Sequence, residues 1–154
     1  MAALLLIDIQ DDFVVNGKLA ILNGEHVVEK CNALRKSRNF DLVALSQDFH
    51  PEGHASFAST NEGAKPFEKR YIRTPATTIK PKVVNSVVQV MWPDHCVQGS
   101  QGAEFCSNLV REQTDLVVQK GTNPLVDSYS AFGDEFEGQF ENTVLFSKLQ
   151  AKNM

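Results

Sequence analysis

The chain begins with a short apolar run, Leu4 to Ile9, that carries a single carboxylate at Asp8. A continuous apolar run of this length is typical of a strand that is buried on both faces, as in a parallel sheet. Apolar residues at helical spacing then predict a helix over Glu25 to Arg38, and a second apolar run predicts a strand over Asp41 to Gln47. Because a strand, a helix and a second strand form a βαβ unit with a right-handed crossover, we predict an α/β fold built on a parallel sheet.

The remaining sequence continues this pattern less regularly. Residues 48 to about 83 hold four of the six prolines and show no sustained period, which indicates a long functional loop. A short segment, Val83 to Val90, follows it. We then predict a helix over Ala103 to Glu112, a third strand over Asp115 to Lys120, and a loop followed by a helix between Gly133 and Lys152.

Composition restricts the class of protein. The 154 residues are 42% hydrophobic, which fits one globular domain and argues against a disordered chain. The 19 acidic and 15 basic side chains give a net charge of −4, which argues against nucleic-acid binding. The longest apolar run is too short to cross a membrane and lacks the basic flank of a signal peptide. Three cysteines do not make a disulfide framework, so we expect a reduced, cytoplasmic protein.

The sharpest local signal is Asp48-Phe49-His50-Pro51, which follows the second predicted strand. Side chains two residues apart in extended backbone share a face, so Asp48 and His50 can converge on one ion. One carboxylate with one or two imidazoles suits zinc, ferrous iron or manganese, and His54 and His95 are candidates for further ligands. The alternative, a polar surface loop with a hydrogen-bonded histidine, stays open on spacing alone.

Two charged residues end predicted strands. Asp8 ends the first strand inside an apolar run, where a carboxylate is either desolvated or paired, as is typical of a general base. Lys120 ends the third strand. We expect the two to meet across the carboxyl edge of the sheet, where open α/β sheets bind their ligands. Taken separately, each also fits an ordinary strand end that faces solvent.

The segment Trp92-Pro93-Asp94-His95-Cys96-Val97 is the third signal. Trp92 either stacks on a flat aromatic ligand or packs on the core beside a proline-directed turn. His95 is placed to face the metal. Cys96 and Cys106 are candidate nucleophiles, but neither has a base at a recognisable spacing, and buried structural cysteines are the commoner case.

Together these signals resemble the nicotinamidase family, within the isochorismatase-like cysteine hydrolases. The matching blocks occur in the family's order and spacing: Ile7 to Phe13, Gln47 to Phe57, Trp92 to Gly99, Lys120-Gly121 and Asp127 to Phe132. The metal-site blocks favour nicotinamidases over isochorismatase-type relatives, which lack that ion site. The resemblance implies a three-layer αβα fold whose six-stranded parallel sheet has the order 3-2-1-4-5-6. Residues 1–154 would be the N-terminal portion of that domain, with only its first three strands.

The resemblance also implies an activity, the metal-dependent hydrolysis of nicotinamide to nicotinate and ammonia in NAD salvage, through a cysteine thioester. Asp48, His50 and His95 would ligate the ion, with His54 as an additional contributor. The ion would be zinc first, with iron or manganese as alternatives. It would hold the pyridine nitrogen and orient the carboxamide.

Four further residues take roles by the same resemblance. Phe13 and Trp92 would sandwich the flat ring. Asp8 would take the thiol proton and pass it to the leaving ammonia, and Lys120 would stabilise the charged groups beside it.

The family's nucleophilic cysteine, however, lies in a stretch resembling Gly-x-Ala-x-x-Tyr-Cys-Val, and no such stretch occurs before Met154. We therefore expect a C-terminally truncated member whose first strand is an exposed apolar edge, open to pairing with a second copy. The alternatives are a non-catalytic fragment or isoform that binds metal and nicotinamide, and another isochorismatase-like amide hydrolase. A different enzyme that uses Cys96 or Cys106 is the third alternative.

Overall fold

The computed structural model describes residues 1–73, 86–133 and 144–153. Its strands and helices, in chain order, are β1 (Ala3–Ile7), α1 (Glu25–Ser37), β2 (Leu42–Asp48), β3 (Lys69–Arg73), β4 (Ser86–Val90), β5 (Leu116–Lys120) and α2 (Val144–Ala151). Three short 3-10 turns lie at Asp11–Phe13, Ala58–Thr60 and Gln101–Ala103.

Strands β1, β2 and β5 form a parallel sheet with β2 in the centre. Leu6 of β1 is aligned with Leu45 of β2, and Leu45 with Val117 of β5. The central position of β2 explains its apolar sequence, because both of its faces are covered and Leu45 is fully buried. The α/β class and the order of the first three family strands, 3-2-1, are both confirmed.

Each face of this sheet carries its own apolar cluster. On one face, Leu4, Leu6 and Leu45 pack with Val28 of α1. On the other face, Ala44 and Val118 pack with Leu145 of α2. Because neighbouring residues of a strand point to opposite faces, one sheet serves both clusters and the three-layer arrangement follows.

Strands β3 and β4 form a separate antiparallel pair. The sequence predicts a long loop that includes Lys69–Arg73 and a short segment over Val83 to Val90, so this pairing is not predicted. The alternating burial of β3 is a weak period-two signal within a proline-rich stretch. Residues 83–85 of the predicted segment, and the predicted loop over residues 134–143, lie outside the described residues.

The helix predicted over Ala103 to Glu112 is wrong. Only the 3-10 turn at Gln101–Ala103 touches this range, and irregular backbone follows it. The reason is that its backbone N–H groups bond to distant partners: that of Cys106 donates to the carbonyl of Ile9, and that of Val110 to the side chain of Asn32. These tertiary bonds satisfy donors that a helix would otherwise pair internally.

Within the described parts of the chain, no helix combines the length and apolar character needed to span a membrane.

Candidate functional site

The three parallel strands bring charged residues together at one edge of the sheet. Asp48 and Lys120 are aligned at the ends of β2 and β5, and Asp8 directly follows β1. The ammonium nitrogen of Lys120 lies 3.0 Å from Oδ2 of Asp8 and also contacts Oδ1 of Asp48. The hydroxyl of Ser46 donates a hydrogen bond of 2.6 Å to the other carboxylate oxygen of Asp8. Asp8 and Lys120 therefore meet across the edge, as their positions at strand ends predict.

Asp48 also lies beside two histidines. Its Oδ2 atom is 3.7 Å from Nε2 of His50 and 3.6 Å from Nε2 of His95. One potential ligand atom from each of the three residues falls within 4.8 Å of the others, and all three residues are buried. His50 follows β2, whereas His95 arrives from the segment after β4. The site thus joins residues 45 positions apart in the chain.

Hydrogen bonds orient both imidazole rings. Nδ1 of His50 lies 3.0 Å from the carbonyl oxygen of Gly121, and Nδ1 of His95 lies 2.8 Å from that of Pro93. Because a carbonyl oxygen only accepts, each ring donates through Nδ1. This leaves Nε2, on the side of Asp48, to donate to that carboxylate when it is protonated or to bind a metal ion when it is not. Histidines that bind metals in proteins are held in this way.

His54 is fully buried but is differently bonded. Its Nε2 atom lies 3.3 Å from the carbonyl oxygen of Val126, and its Nδ1 atom lies 2.8 Å from the hydroxyl of Ser56. Both ring nitrogens are therefore engaged. His54 nevertheless belongs to a second cluster, because one ligand atom each from His50, His54 and Asp127 also falls within 4.8 Å.

The charges at this edge set the protonation of its residues. Burial by itself would raise the pKa of Asp48, but the adjacent imidazoles of His50 and His95 and the charge of Lys120 hold it well below its usual range. Burial would lower the pKa of Lys120, yet the two carboxylates raise it. For His50, burial is likewise outweighed, chiefly by Asp48, and the pKa is raised.

Buried polar groups hold the ligand-bearing backbone in place. Gln10 is fully buried, and its side chain both accepts a bond from the N–H of Asp48 and donates one to the carbonyl of Asp48, each 2.8 Å long. Oδ2 of Asp12 accepts a 2.7 Å bond from the N–H of Cys96, a residue held at φ +47°. No local sequence pattern predicts these roles for Gln10 and Asp12.

Two aromatic residues flank His95. The ring centroids of Phe13 and Trp92 lie 5.8 and 6.3 Å from that of His95, both in edge-to-face geometry. Both residues line a cleft of about 200 Å³ that Asp8, Asp48 and Lys120 also reach. Metal-ligand candidates, proton-transfer candidates and aromatic faces thus share one cleft.

Three further residues of this region have no role predicted from the sequence. Asp127 and Tyr129 line the same cleft, although the block Asp127 to Phe132 was matched without a role for either residue. Gln89 of β4 contacts both of them through its side-chain amide. These contacts join residues about 40 positions apart, so no local pattern signals them.

The cysteines are poorly suited to nucleophilic attack. Burial raises the pKa of Cys96 far above its usual range, and nearby carboxylates add to that effect. Burial, followed by the charge of Asp11, raises the pKa of Cys106 to about 11. Burial also raises the pKa of Cys31. These shifts argue against an enzyme that uses Cys96 or Cys106.

No protein-family model matches the chain. Over 135 residues it is 42% identical to the nicotinamidase of Escherichia coli K12, a match that covers 86% of this chain and 57% of that relative. The chain spans less than two thirds of the length of the curated relatives it matches.

Its structure is similar to that of the yeast nicotinamidase Pnc1p bound to the inhibitor nicotinaldehyde, with a TM-score of 0.89 and 25% identity, covering 100% of this chain and 71% of that one. It is also similar to the pyrazinamidase of Pyrococcus horikoshii in complex with zinc, with a TM-score of 0.64 and 26% identity, covering 99% of this chain and 65% of that one. The sequence and the strand order agree with these comparisons: the chain belongs to the isochorismatase-like nicotinamidase family.

Proposed function

We propose that this chain forms the part of a nicotinamidase that binds a divalent metal ion and the pyridine ring of nicotinamide. The observation that carries the proposal is the buried cluster of Asp48, His50 and His95, which opens into the same cleft as Asp8 and Lys120. The reaction of the whole enzyme would be the hydrolysis of nicotinamide to nicotinate and ammonia, a step of NAD salvage. The E. coli relative supports this assignment.

The donor set fits a divalent metal. Two imidazole nitrogens and one carboxylate, with positions left for water or substrate, are ligands that zinc accepts, and iron or manganese is the alternative. The zinc complex of the P. horikoshii protein supports zinc. When bound, the ion supplies a Lewis acid for the ring nitrogen and for water. His54 would join this set only after giving up one of its present hydrogen bonds.

Phe13 and Trp92 are the residues that we assign to the ring. Both line the cleft from the side of His95, and aromatic faces bind flat rings by stacking. A ring held there would be fixed in two ways, through its faces by the aromatic residues and through its nitrogen by the metal site. A ring held in this way would share the cleft with Asp8 and Lys120.

Asp8 is the residue that we assign to proton transfer, with Lys120 as the neighbouring cation that stabilises negative charge. The 154 residues contain no Tyr-Cys-Val stretch of the kind that carries the family's nucleophile. We therefore assign to this chain by itself the binding of metal and ring, without release of ammonia. Where that stretch is supplied, Asp8 would accept the proton of its thiol.

The metal assignment is tested by calorimetric titration of the purified chain with zinc. Asp48→Asn and His95→Ala remove proposed ligands and should weaken zinc binding by roughly 100-fold or more, beyond the effect usual for outer hydrogen-bond partners. His26→Ala is the matched control, because His26 is exposed on α1, and it should bind zinc like the parent chain. Equal affinities in all variants would contradict the assignment.

The ring assignment is tested with the zinc-loaded chain by equilibrium binding of nicotinamide, with benzamide as the analogue that lacks the ring nitrogen. Nicotinamide should bind more tightly than benzamide, and the preference should vanish when zinc is removed. Phe13→Ala should weaken both ligands, since it removes a stacking face. A chain that binds zinc but not nicotinamide would overturn the ring assignment. Steady release of ammonia by this chain would contradict the proposal that it binds nicotinamide without hydrolysing it.

A further inference from the structure

Gln89 is a buried polar residue on a strand pair that lies outside the central sheet. Its exposure is only 5%, whereas its neighbour Val88 on the opposite face of β4 is 54% exposed. An amide in such a position is costly unless it is hydrogen-bonded. Its Nε2 atom lies 2.8 Å from Oδ2 of Asp127, 3.1 Å from Oη of Tyr129 and 3.0 Å from the carbonyl of Val90. The inward face of this accessory strand is therefore bonded to the cleft.

The bond to Tyr129 continues to Trp92. The indole N–H of Trp92 donates to the same hydroxyl oxygen over 3.1 Å. Tyr129 thus accepts from Gln89 on one side and from Trp92 on the other. Because Nε1 is the only polar atom of a tryptophan side chain, this bond is the one polar constraint available to fix the rotation of the indole. The edge of Phe67, at a centroid distance of 6.0 Å, supports the ring from another side.

The bond to Asp127 leads to the metal cluster. Asp127 has a carboxylate oxygen within 4.8 Å of ligand atoms of both His50 and His54. Its Oδ1 atom accepts a 2.9 Å bond from the N–H of Ser128, whereas its Oδ2 atom accepts the bond from Gln89. The side-chain amide of Gln89 therefore contacts both Tyr129, which bonds to Trp92, and the carboxylate of Asp127, which lies beside the histidines.

We propose that Gln89 is a positioning residue, which sets the orientation of Trp92 through Tyr129 and so shapes the wall against which the ring binds. We call the two hydrogen bonds that link Gln89 to Tyr129 and Tyr129 to Trp92 the relay. This inference rests on the proposed function for its ligand, but the relay is a property of the free chain. The relay does not require that Gln89 touch the ligand.

Trp92 is the only tryptophan of the chain, so intrinsic fluorescence reports this residue alone. Gln89→Leu keeps the volume of the side chain and removes its donors, while Tyr129→Phe keeps the ring and removes the bridging oxygen. Both should shift the emission maximum of Trp92 and increase its quenching by acrylamide in the absence of any ligand. Val88→Leu is the matched control on the outer face of the same strand and should leave both readings unchanged.

Binding of nicotinamide to the zinc-loaded chain is the second readout. Gln89→Leu and Tyr129→Phe should each raise its dissociation constant by about three- to tenfold, the usual effect of losing one hydrogen bond. The double variant should lose no more than either single variant, because both break the same relay. The dissociation constant for zinc should change by less than about twofold in Gln89→Leu, since Gln89 contacts none of the three proposed ligands directly.

The outcomes separate the two proposals. A parent chain that binds no nicotinamide overturns the proposed function, and the ligand-free fluorescence of Trp92 still decides whether the relay exists. Trp92 emission and quenching in Gln89→Leu that match those of Val88→Leu would overturn the relay. Additive losses in the double variant would overturn it as well, since they indicate separate structural effects. If Gln89→Leu does not fold by circular dichroism, Gln89→Met takes its place, because it keeps the length of the side chain and also removes both amide donors, while the bond between Tyr129 and Trp92 stays available.

Discussion

The ammonium group of Lys120 lies 3.0 Å from the carboxylate of Asp8, and the same group contacts Asp48. One cation is therefore shared by two carboxylates, at the point where the three parallel strands end. Lys120 is only 7% exposed, and its two partners keep its pKa above the ordinary value against the effect of burial. Without the lysine, both carboxylates lose this cation.

Lys120→Met should therefore destabilise the chain strongly. It leaves two neighbouring carboxylates without their cation, and breaking a buried ion pair by removing one partner typically costs about 3–5 kcal/mol. The free energy of unfolding from denaturant titration measures the effect. Lys18→Met is the control at an exposed lysine and should change this free energy by less than about 0.5 kcal/mol. A loss below about 1 kcal/mol in Lys120→Met would show that the triplet contributes little.

Asp48 should make the stability of the metal-free chain depend on pH in acid. Its folded pKa is depressed, so it binds a proton more readily when the chain is unfolded. The stability it contributes is fully present above the unfolded pKa, near 3.9, and is lost as the pH falls below that value toward the folded pKa. Unfolding measured between pH 5 and 3 should show a steeper loss for the parent than for Asp48→Asn, by up to about 1.4 kcal/mol per pH unit. Identical slopes would contradict the low pKa.

Gly121→Ala should disturb His50. Gly121 has φ +64°, and a Cβ atom there would lie 2.3 Å from Cε1 of His50. The ring would have to move away from the carbonyl that orients it, so we expect zinc binding to weaken by roughly 10–100-fold. Gly53→Ala is the matched control, because its φ is +72° but open space surrounds the added atom.

Both glycine variants bear the backbone strain of an L-residue in the left-handed region, about 1–2 kcal/mol. Only Gly121→Ala adds the collision with His50. Calorimetric zinc titration and denaturant unfolding of both variants separate the two effects. Zinc affinities that fall equally in the two variants would mean that backbone strain, and not the contact with His50, controls the site.

The sequence predicts the part of the site that lies at strand ends. The proximity of Asp8, Asp48 and Lys120 is predictable from the sequence, because the carboxyl ends of parallel strands meet at one edge of a sheet. His50 follows from its distance of two residues from Asp48. This part of the geometry depends on short-range patterns and on one topological rule.

Other features depend on contacts that no local pattern reports. The backbone of residues 103–112 is shaped by bonds to Ile9 and Asn32, which is why apolar spacing alone led to a wrong helix. The relay from Gln89 to Tyr129 spans 40 positions, and its first residue lies on a strand pair whose pairing was not predicted. Long-range polar bonds of this kind require the fold before they can be seen.

Strand β1 gives the last prediction, which concerns association. Among the residues that the structure describes, β1 pairs only with β2, so its other edge has no strand partner there. Beside it lies an apolar groove of about 270 Å³, lined by residues that include Ile7, Ile21 and Val27, which are 56%, 60% and 46% exposed. Exposed apolar edges favour pairing with another chain, so we expect the purified chain to associate with itself as its concentration rises.

Ile7→Lys places a charge on that edge and should shift sedimentation in the analytical ultracentrifuge toward the monomer, because a lysine on an edge strand opposes pairing. Val88→Lys is the control, since Val88 is similarly exposed, at 54%, but lies on β4. If the edge is the contact, Val88→Lys associates like the parent and Ile7→Lys does not. A parent chain that remains monomeric over the whole concentration range would contradict the predicted association. A Val88→Lys variant that dissociates as much as Ile7→Lys would show that the contact does not lie at the edge of β1. The edge of β1 is thus open to a test that depends on neither metal nor nicotinamide.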